Sequence, residues 1–454
     1  MDTTYGIISL IPILVVLFTA IKTKKVITAI VLGSLTGSFI MNGFSFASVW
    51  MTGLKEELAL FGDYILIIGL FGVFIKLIEK SGGVEGFSVL CGKFVKSRGA
   101  SLIVTWLLGI FIFADEYLNA LAVGVATRKV TDKFKVSREF LAYVINSTGA
   151  TVCVLIPISI WGVFVIGQYD ILGITVNGSA MAGYLKSLPF VFYGWLAVLA
   201  VPLFSLKILP LYGPMKKAEA RAMETGDVFP KSYHDRKHDL EETAKEEEKI
   251  DGRAINFILP MLVIAIYGIA TADILTAVMI ANLVCLVMYL SQRIMTFTEF
   301  SNYALEGFSE MVYFMALLLF VFNFASVNNL LGITPYVISI VQPVLSPALL
   351  PVMSFLIVGL LSVATVSFFG TAAIVFPIVI GLANSMGVNV YLVGGAVVSG
   401  IALASHISFF ADSAILTCAS TEISTDDYAK NIIPLVSGIV IVAAIFYLIA
   451  GFIV

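Results

Sequence analysis

The sequence predicts an all-α polytopic membrane protein built from two inverted-topology repeats, each with a re-entrant hairpin and a broken transmembrane helix. Three observations predict it. Charged residues make up 13 % of the 454-residue chain and hydrophobic residues 59 %, where a soluble domain carries about 25 % charged residues. Apolar runs of about 20 residues recur from end to end, each long enough to cross roughly 30 Å of hydrocarbon. Polar interruptions of these runs fall at corresponding places on either side of a charged linker. Continuous runs favour helices over a transmembrane β-barrel, whose strands alternate in short segments. A net charge of −3 gives no reason to expect a nucleic-acid partner; the bilayer is the expected one.

The Lys and Arg residues assign the sides. Run 6–21 has Asp2 before it and Lys22, Lys24 and Lys25 after it. That order is the reverse of a signal peptide and puts the N-terminus outside. Span 26–42 returns outward, and span 62–79 comes back to Lys76 and Lys80. Segment 83–98 is amphipathic and carries Lys93, Lys96 and Arg98, so it belongs at the cytoplasmic surface. Segment 100–127 is long enough to cross, yet Arg128, Lys129, Lys133, Lys135 and Arg138 follow it. Both its ends then look cytoplasmic, so it reads as a re-entrant hairpin turning near Asp115 and Glu116. Span 139–168 crosses outward, interrupted at residues 146–149, and span 188–210 returns.

The first repeat is thus residues 1–211, the charged cytoplasmic linker 212–254, and the second repeat 255–454. Spans 255–270, 274–291 and 311–328 open the second half. Segment 329–346 is interfacial, and 348–386 is a hairpin kinked at residues 367–371. Span 391–420 is broken at residues 405–408, and 431–453 is the last span. The second half starts inside where the first starts outside, which is the sign of an inverted repeat. His234 and His238 lie in the linker at i, i+4 spacing and read as solvated rather than metal-bound. Cys91, Cys153, Cys285 and Cys418 have neither disulfide nor zinc spacing.

A charge kept inside an apolar span is costly, so it marks function. Asp115 and Glu116 lie at the first hairpin tip, with Asn119 a turn later. Asn146, Ser147 and Thr148 lie in the first helix break. Thr371 lies at the second hairpin kink, and Ser405, His406, Ser408, Asp412 and Ser413 lie around the second break. If the repeats fold alike, these residues meet near the midplane as an ion- or substrate-binding site. Carboxylates, hydroxyls and free carbonyls suit Na⁺, a carboxylate in a low-dielectric site can carry a proton, and helix N-termini suit an anion. His406 reads either as titratable or as neutral and bonded to a backbone carbonyl. Arg128, Asp132, Arg138 and Glu139 read mainly as cytoplasmic surface charges, and Glu306 and Glu310 as interfacial. There is no Walker A motif and no nucleophile–base or metal set, so neither an ATP-driven pump nor an enzyme is expected.

These residues resemble the NhaC family of Na⁺/H⁺ antiporters. The resemblance runs through Asp115-Glu116-Tyr117-Leu118-Asn119, then Arg128, Thr131, Asp132, Ser137-Arg138-Glu139 and Leu141-Ala142-Tyr143. It continues with Asn146-Ser147-Thr148, Pro157, Ser159 and Trp161, and with His406, Ser408, Asp412, Ile415 and Leu416 in the second half. It implies a multi-pass plasma-membrane secondary transporter without cofactor, coupled to Na⁺, H⁺ or both, and a homodimer. Asn146 and Ser405 stand where the family carries acidic residues, and Thr151 and Phe409 where it carries prolines. Two readings therefore stand side by side: exchange of Na⁺ for H⁺, and Na⁺- or H⁺-coupled carriage of a small organic acid or amino acid.

Overall fold

A computed structural model describes residues 5–23, 25–92, 95–233, 252–365, 368–409 and 411–453. Asp2, Lys24, Lys93, Ser367 and the His234–His238 pair lie outside the described residues. Among the described residues, seven helical stretches are long and apolar enough to cross a membrane, or eight if the pair bent by 56° at Val191 counts as one span. The chain is a multi-pass, all-helical membrane protein.

The first half holds α1 (Ile11–Thr23), α2 (Val26–Asn42), α3 (Phe46–Lys80), α4 (Gly83–Gly92), α5 (Arg98–Phe111) and α6 (Glu116–Lys133). It continues with α7 (Arg138–Asn146), α8 (Ala150–Cys153), α9 (Ile160–Ile171), α10 (Ala180–Ser187), α11 (Phe192–Ser205) and α12 (Gly213–Thr225). The second half holds α13 (Ile255–Thr271), α14 (Ile274–Ser291), α15 (Phe297–Glu310), α16 (Val312–Leu331) and α17 (Ile333–Val341). It ends with α18 (Leu350–Thr365), α19 (Phe368–Met386), α20 (Val390–Ile407), α21 (Asp412–Thr421) and α22 (Thr425–Ile453).

The same element order recurs in both halves. α3 has 35 residues and a kink at Phe61 (φ −116, ψ 15). The stretch Phe297–Leu331 also has 35 residues, and it breaks at Met311 between α15 and α16. A short helix, a pair of arms and a broken helix then follow in each half.

Helix starts follow local chemistry. Ser97, Asp115, Ser137, Ser159 and Asp273 each accept a backbone N–H from the first turn of the helix they precede. Thr296 and Glu299 form a capping box at the start of α15. A short polar side chain at the N-cap takes up N–H groups that have no intrahelical partner.

Close helix crossings need small residues, because between apolar helices in lipid packing is what holds. α3 crosses α15 at Gly72 and Gly307; a Cβ on Gly72 would lie 2.2 Å from the Gly307 carbonyl oxygen. α6 meets α21 at Gly124, where a Cβ would lie 2.1 Å from Ser420 Oγ. Ser420 Oγ in turn donates to the Ala120 carbonyl at 2.7 Å. α20 is buried on every face from Leu392 to His406, the state expected of a helix apolar all round. It packs against α18, α19 and α11.

Two boundaries differ from the sequence reading. The first broken helix has two interruptions: α7 ends at Asn146, α8 is a single turn, and residues 154–159 precede α9. Pro157 in that second gap has no N–H to offer a ladder, and Ser159 restarts the helix by accepting from the Gly162 N–H at 2.9 Å. α20 runs to Ile407 and α21 starts at Asp412, so the second break follows Ile407 rather than lying at 405–408, because the Ser408 N–H still donates to the Ala404 carbonyl at 3.0 Å.

Candidate ion and substrate site

α5 and α6 are the arms of a hairpin. Asn119 Nδ2 on α6 donates to the carbonyls of Gly109 (2.6 Å) and Ile112 (3.2 Å) at the end of α5. In one straight helix residues ten apart lie about 15 Å apart along the axis, so this bond requires the chain to fold back at residues 112–115. Asn119 Nδ2 also donates to the Thr148 carbonyl at 3.1 Å, tying the hairpin to the first helix break. The approach is close: a Cβ on Gly109 would meet Thr148 Oγ1 at 2.0 Å.

The adjacent carboxylates at the tip have different surroundings. Asp115 caps its own helix, accepting from the N–H groups of Tyr117 (2.9 Å) and Leu118 (2.8 Å). Glu116, 2 % exposed, reaches into the second half and accepts from Ser405 Oγ at 2.9 Å. Ser405 Oγ lies 3.2 Å from Ser413 Oγ in turn. Glu116 thus joins the first hairpin to both sides of the second helix break. Its burial keeps Glu116 away from the lipid headgroups.

Asp412, the first residue of α21, is exposed to a cavity of about 340 Å³ lined also by Tyr117, Tyr313, Phe369 and Ala411. α21 starts without a side-chain cap. Asp115 lines a separate cavity of about 410 Å³, together with Glu79, Glu85 and Glu310. Tyr117 and Phe314 line both cavities, with ring centroids 6.0 Å apart. The two aspartates therefore face different cavities across an aromatic wall.

A second polar cluster surrounds His406. Its Nδ1 lies 2.7 Å from the Tyr193 hydroxyl and its Nε2 3.1 Å from Ser147 Oγ. Its ring stacks on Tyr143 at 6.1 Å. The His406 carbonyl accepts from Asn146 Nδ2 (3.0 Å) and from the Tyr428 hydroxyl (2.7 Å), and Asn146 Nδ2 also contacts the Tyr428 hydroxyl. Two hydroxyls bracket the ring, in place of the backbone carbonyl that the sequence suggested.

The remaining residues divide. Thr148 Oγ1 bonds to the Ile145 carbonyl at 2.9 Å, within its own turn. Ser408 is buried, and its Oγ has no partner among the described residues. Thr371 pairs with Thr365 at 3.1 Å across the second hairpin kink; among the described residues its hydroxyl does not bond to the other candidate residues. Its hairpin reaches the site through rings: Trp161 of α9 packs on Phe369 at 4.8 Å.

The charges expected at the cytoplasmic surface are more than a fringe. Arg138 is 4 % exposed and makes paired bonds of 2.8 Å to both Asp132 oxygens. It also lies 3.4 Å from Glu422 of the second half, and Arg128 lies 3.0 Å from the same carboxylate. Arg221 of α12 grips Glu139 with two bonds of 2.8 and 3.0 Å. Lys76 pairs with Glu306 and Glu310 at 2.8 Å each. Reading these residues as topology signals missed the pairings: Asp132 is near Arg138 in sequence, but Glu422, Arg221, Glu306 and Glu310 are distant from their partners.

Tyr193 and Tyr428 were also missed, and Tyr143 entered only through the family resemblance. Tyrosines near span ends usually anchor at the interface, but these three are fully buried. A buried phenol needs a hydrogen-bond partner. That is the one signal that could have pointed to Tyr193 and Tyr428, and it names no partner.

Residues 152–452 match the Na⁺/H⁺ antiporter family. That match takes in Trp161, His406 and Asp412 and begins after the first hairpin. An uncharacterized protein of Haemophilus influenzae is 24 % identical over 99 % of this chain and 92 % of its own length. Among solved structures, the YdaH transporter of Alcanivorax borkumensis, described as having an unusual topology, superposes with a TM-score of 0.59 at 11 % identity. The alignment covers 90 % of this chain and 89 % of that one. MtrF of Neisseria gonorrhoeae, from a class of antimetabolite efflux pumps, gives a TM-score of 0.56 at 13 % identity over 91 % and 86 % of the two chains. At these identities the likeness is one of fold.

Proposed function

The chain belongs to the Na⁺/H⁺ antiporter family, and from that membership we propose that this secondary transporter exchanges Na⁺ for H⁺ across the plasma membrane by alternating access. The observation that carries the reading is the bond between Glu116 and Ser405. It sets a buried carboxylate of the first half in direct contact with the last turn of α20, just before the second break. Binding a cation or a proton at Glu116 changes what Ser405 and Ser413 can bond to. Occupancy thereby biases how the two halves pack, and a ligand can shift a conformational equilibrium only by such a difference between states. Glu116, Ser405, Ser413 and the nearby Asp412 supply hard oxygen ligands, the set that suits Na⁺ and H⁺. The recurring element order supports two repeats, whose relative movement would alternate access.

A second reading has its own support. The cavity at Asp412 holds about 340 Å³, inside the range of roughly 300–1,000 Å³ usual for small-molecule sites. Asn146 and Ser405 bring no charge to its neighbourhood, and the uncapped start of α21 suits an anionic group. A small organic acid or amino acid carried with Na⁺ or H⁺ fits these features.

Purified protein in proteoliposomes with an imposed ΔpH separates the readings. Dissipation by Na⁺ alone supports exchange. Dissipation that requires an organic acid or amino acid supports the second reading. Both expect Asp412→Ala to abolish the flux at unchanged protein level; retained flux removes Asp412 from the site.

A further inference from the structure

A third cavity, of about 920 Å³, lies between α3, α9, α16, α17 and α19, away from Glu116 and His406. It is at the end of the bundle where the sequence is poorest in basic residues. Segments 43–61, 171–191, 329–349 and 386–390 contain only Lys55 and Lys186, which marks this end as the outer one.

Its lining is built for positive charge. Glu57 and Asp170 both face it, and no Lys or Arg does. Glu57 is 9 % exposed and shares the cavity lining with Ser326. Asp170 accepts from the Tyr64 hydroxyl at 3.1 Å. Asn328 also lines the cavity; it is 6 % exposed, and its Oδ1 has no hydrogen-bond partner among the described residues. A buried acceptor left unpaired costs about 1–3 kcal/mol, so the site is incomplete without a donor. Three helices add their C-terminal turns to the lining: α9 at Asp170 and Ile171, α16 at Asn328 and Asn329, and α19 at Asn384 and Ser385. The negative ends of three helix dipoles therefore converge on one space.

Volume and walls set the ligand class. A bare cation would leave such a space almost empty. The rings of Phe61 and Phe322 line it, with centroids 4.6 Å apart, and aromatic faces attract cations that carry apolar groups. We propose that this cavity is an outer binding site for a small organic ammonium ion. Its N–H groups bond to Glu57 and Asn328 Oδ1, and its apolar part lies against Phe61 and Phe322. The proposal does not depend on which solute crosses at Glu116 and Asp412.

The test uses full-length protein in detergent and radiolabelled phenethylamine at neutral pH, measured by equilibrium dialysis with thermal unfolding alongside. The expected result is saturable binding that weakens at least tenfold in Glu57→Gln and in Asn328→Leu, with 2-phenylethanol competing at least tenfold more weakly than unlabelled phenethylamine. Asp412→Asn should bind as the parent does. Four outcomes overturn the proposal: no saturable binding, parental affinity in folded Glu57→Gln, equal competition by 2-phenylethanol, and loss of binding in Asp412→Asn. The last would move the ligand to the cavity at Asp412. Should Glu57→Gln fail to fold, Asn328→Leu carries the test alone, and parental affinity in it overturns the proposal.

Discussion

The carboxylate of Glu116 and the hydroxyl of Ser405 are 2.9 Å apart across 289 residues of chain. One belongs to the tip of a hairpin in the first half, the other to the end of a helix buried on every face in the second. A hydrogen bond to a charged group contributes about 1.5–3 kcal/mol. Glu116→Gln, Ser405→Ala and the double variant should therefore show a coupling of that size in a double-mutant cycle of stability in detergent. Glu116→Gln should also lower flux at least a hundredfold. Additivity within experimental error would show that the contact does not couple the halves.

The His406 ring is held by Tyr193 on one side and Ser147 on the other. Removing either hydroxyl leaves a buried ring nitrogen without its partner, at about 1–3 kcal/mol. Tyr193→Phe and Ser147→Ala should each lower thermal stability by that amount. His406→Leu, which removes the group needing partners, should make a later Tyr193→Phe nearly neutral. A second loss as large as the first would mean that Tyr193 acts through other contacts.

Arg138 is buried with its guanidinium fork on Asp132. Breaking such a pair from one side leaves a charge without compensation, at about 3–5 kcal/mol. Glu422 lies 3.4 Å from Arg138 and offsets part of this, so Asp132→Asn should cost about 3 kcal/mol and Asp132→Asn with Glu422→Gln more than the sum of the two. Guanidinium chloride would blur the ionic term, so urea unfolding is the appropriate readout. A loss under about 0.5 kcal/mol for Asp132→Asn would place the pair with ordinary surface ion pairs.

The α3–α15 crossing rests on two glycines. Gly72→Ala puts a methyl group where the Gly307 carbonyl oxygen already is. Overpacking against backbone has no cheap relief and costs about 1–3 kcal/mol or more. Gly62 lies in the same helix with nothing within 4 Å of its added Cβ, so Gly62→Ala should be neutral or slightly stabilising. Equal yields and unfolding temperatures for the two variants would refute the crossing.

Opposite orientation of the repeats has a direct measurement. Single cysteines at Lys133 and Asn389, in a background without native cysteines, should label from opposite sides of intact cells. Labelling from one side would end the inverted-repeat reading.

Much of the architecture is legible in sequence because helices are local objects. The apolar runs mark the spans, and the basic residues on both flanks of segment 100–127 mark a hairpin, because hydropathy and charge are read directly from the chain. The order of spans, hairpin and broken helix in two halves follows from the same short-range signals. The break positions were less legible. Pro157 and Ser159 add a second gap that polarity alone did not show, and α20 runs on to Ile407 because its ladder tolerates Ser405 and His406.

The sequence alone thus determined a polytopic helical protein, its family resemblance, and Asp115, Glu116, His406 and Asp412 as candidate site residues. Only the tertiary structure decided which of two adjacent carboxylates turns inward, that Tyr193 and Ser147 hold His406, and that Arg138 shares Glu422 with Arg128. It also decided that Asp115 and Asp412 face different cavities. The reason is range. Capping and helical periodicity act over a turn or two of chain, whereas these contacts join residues hundreds of positions apart. They exist only once glycine crossings such as Gly124 against Ser420 have set the distance between helices.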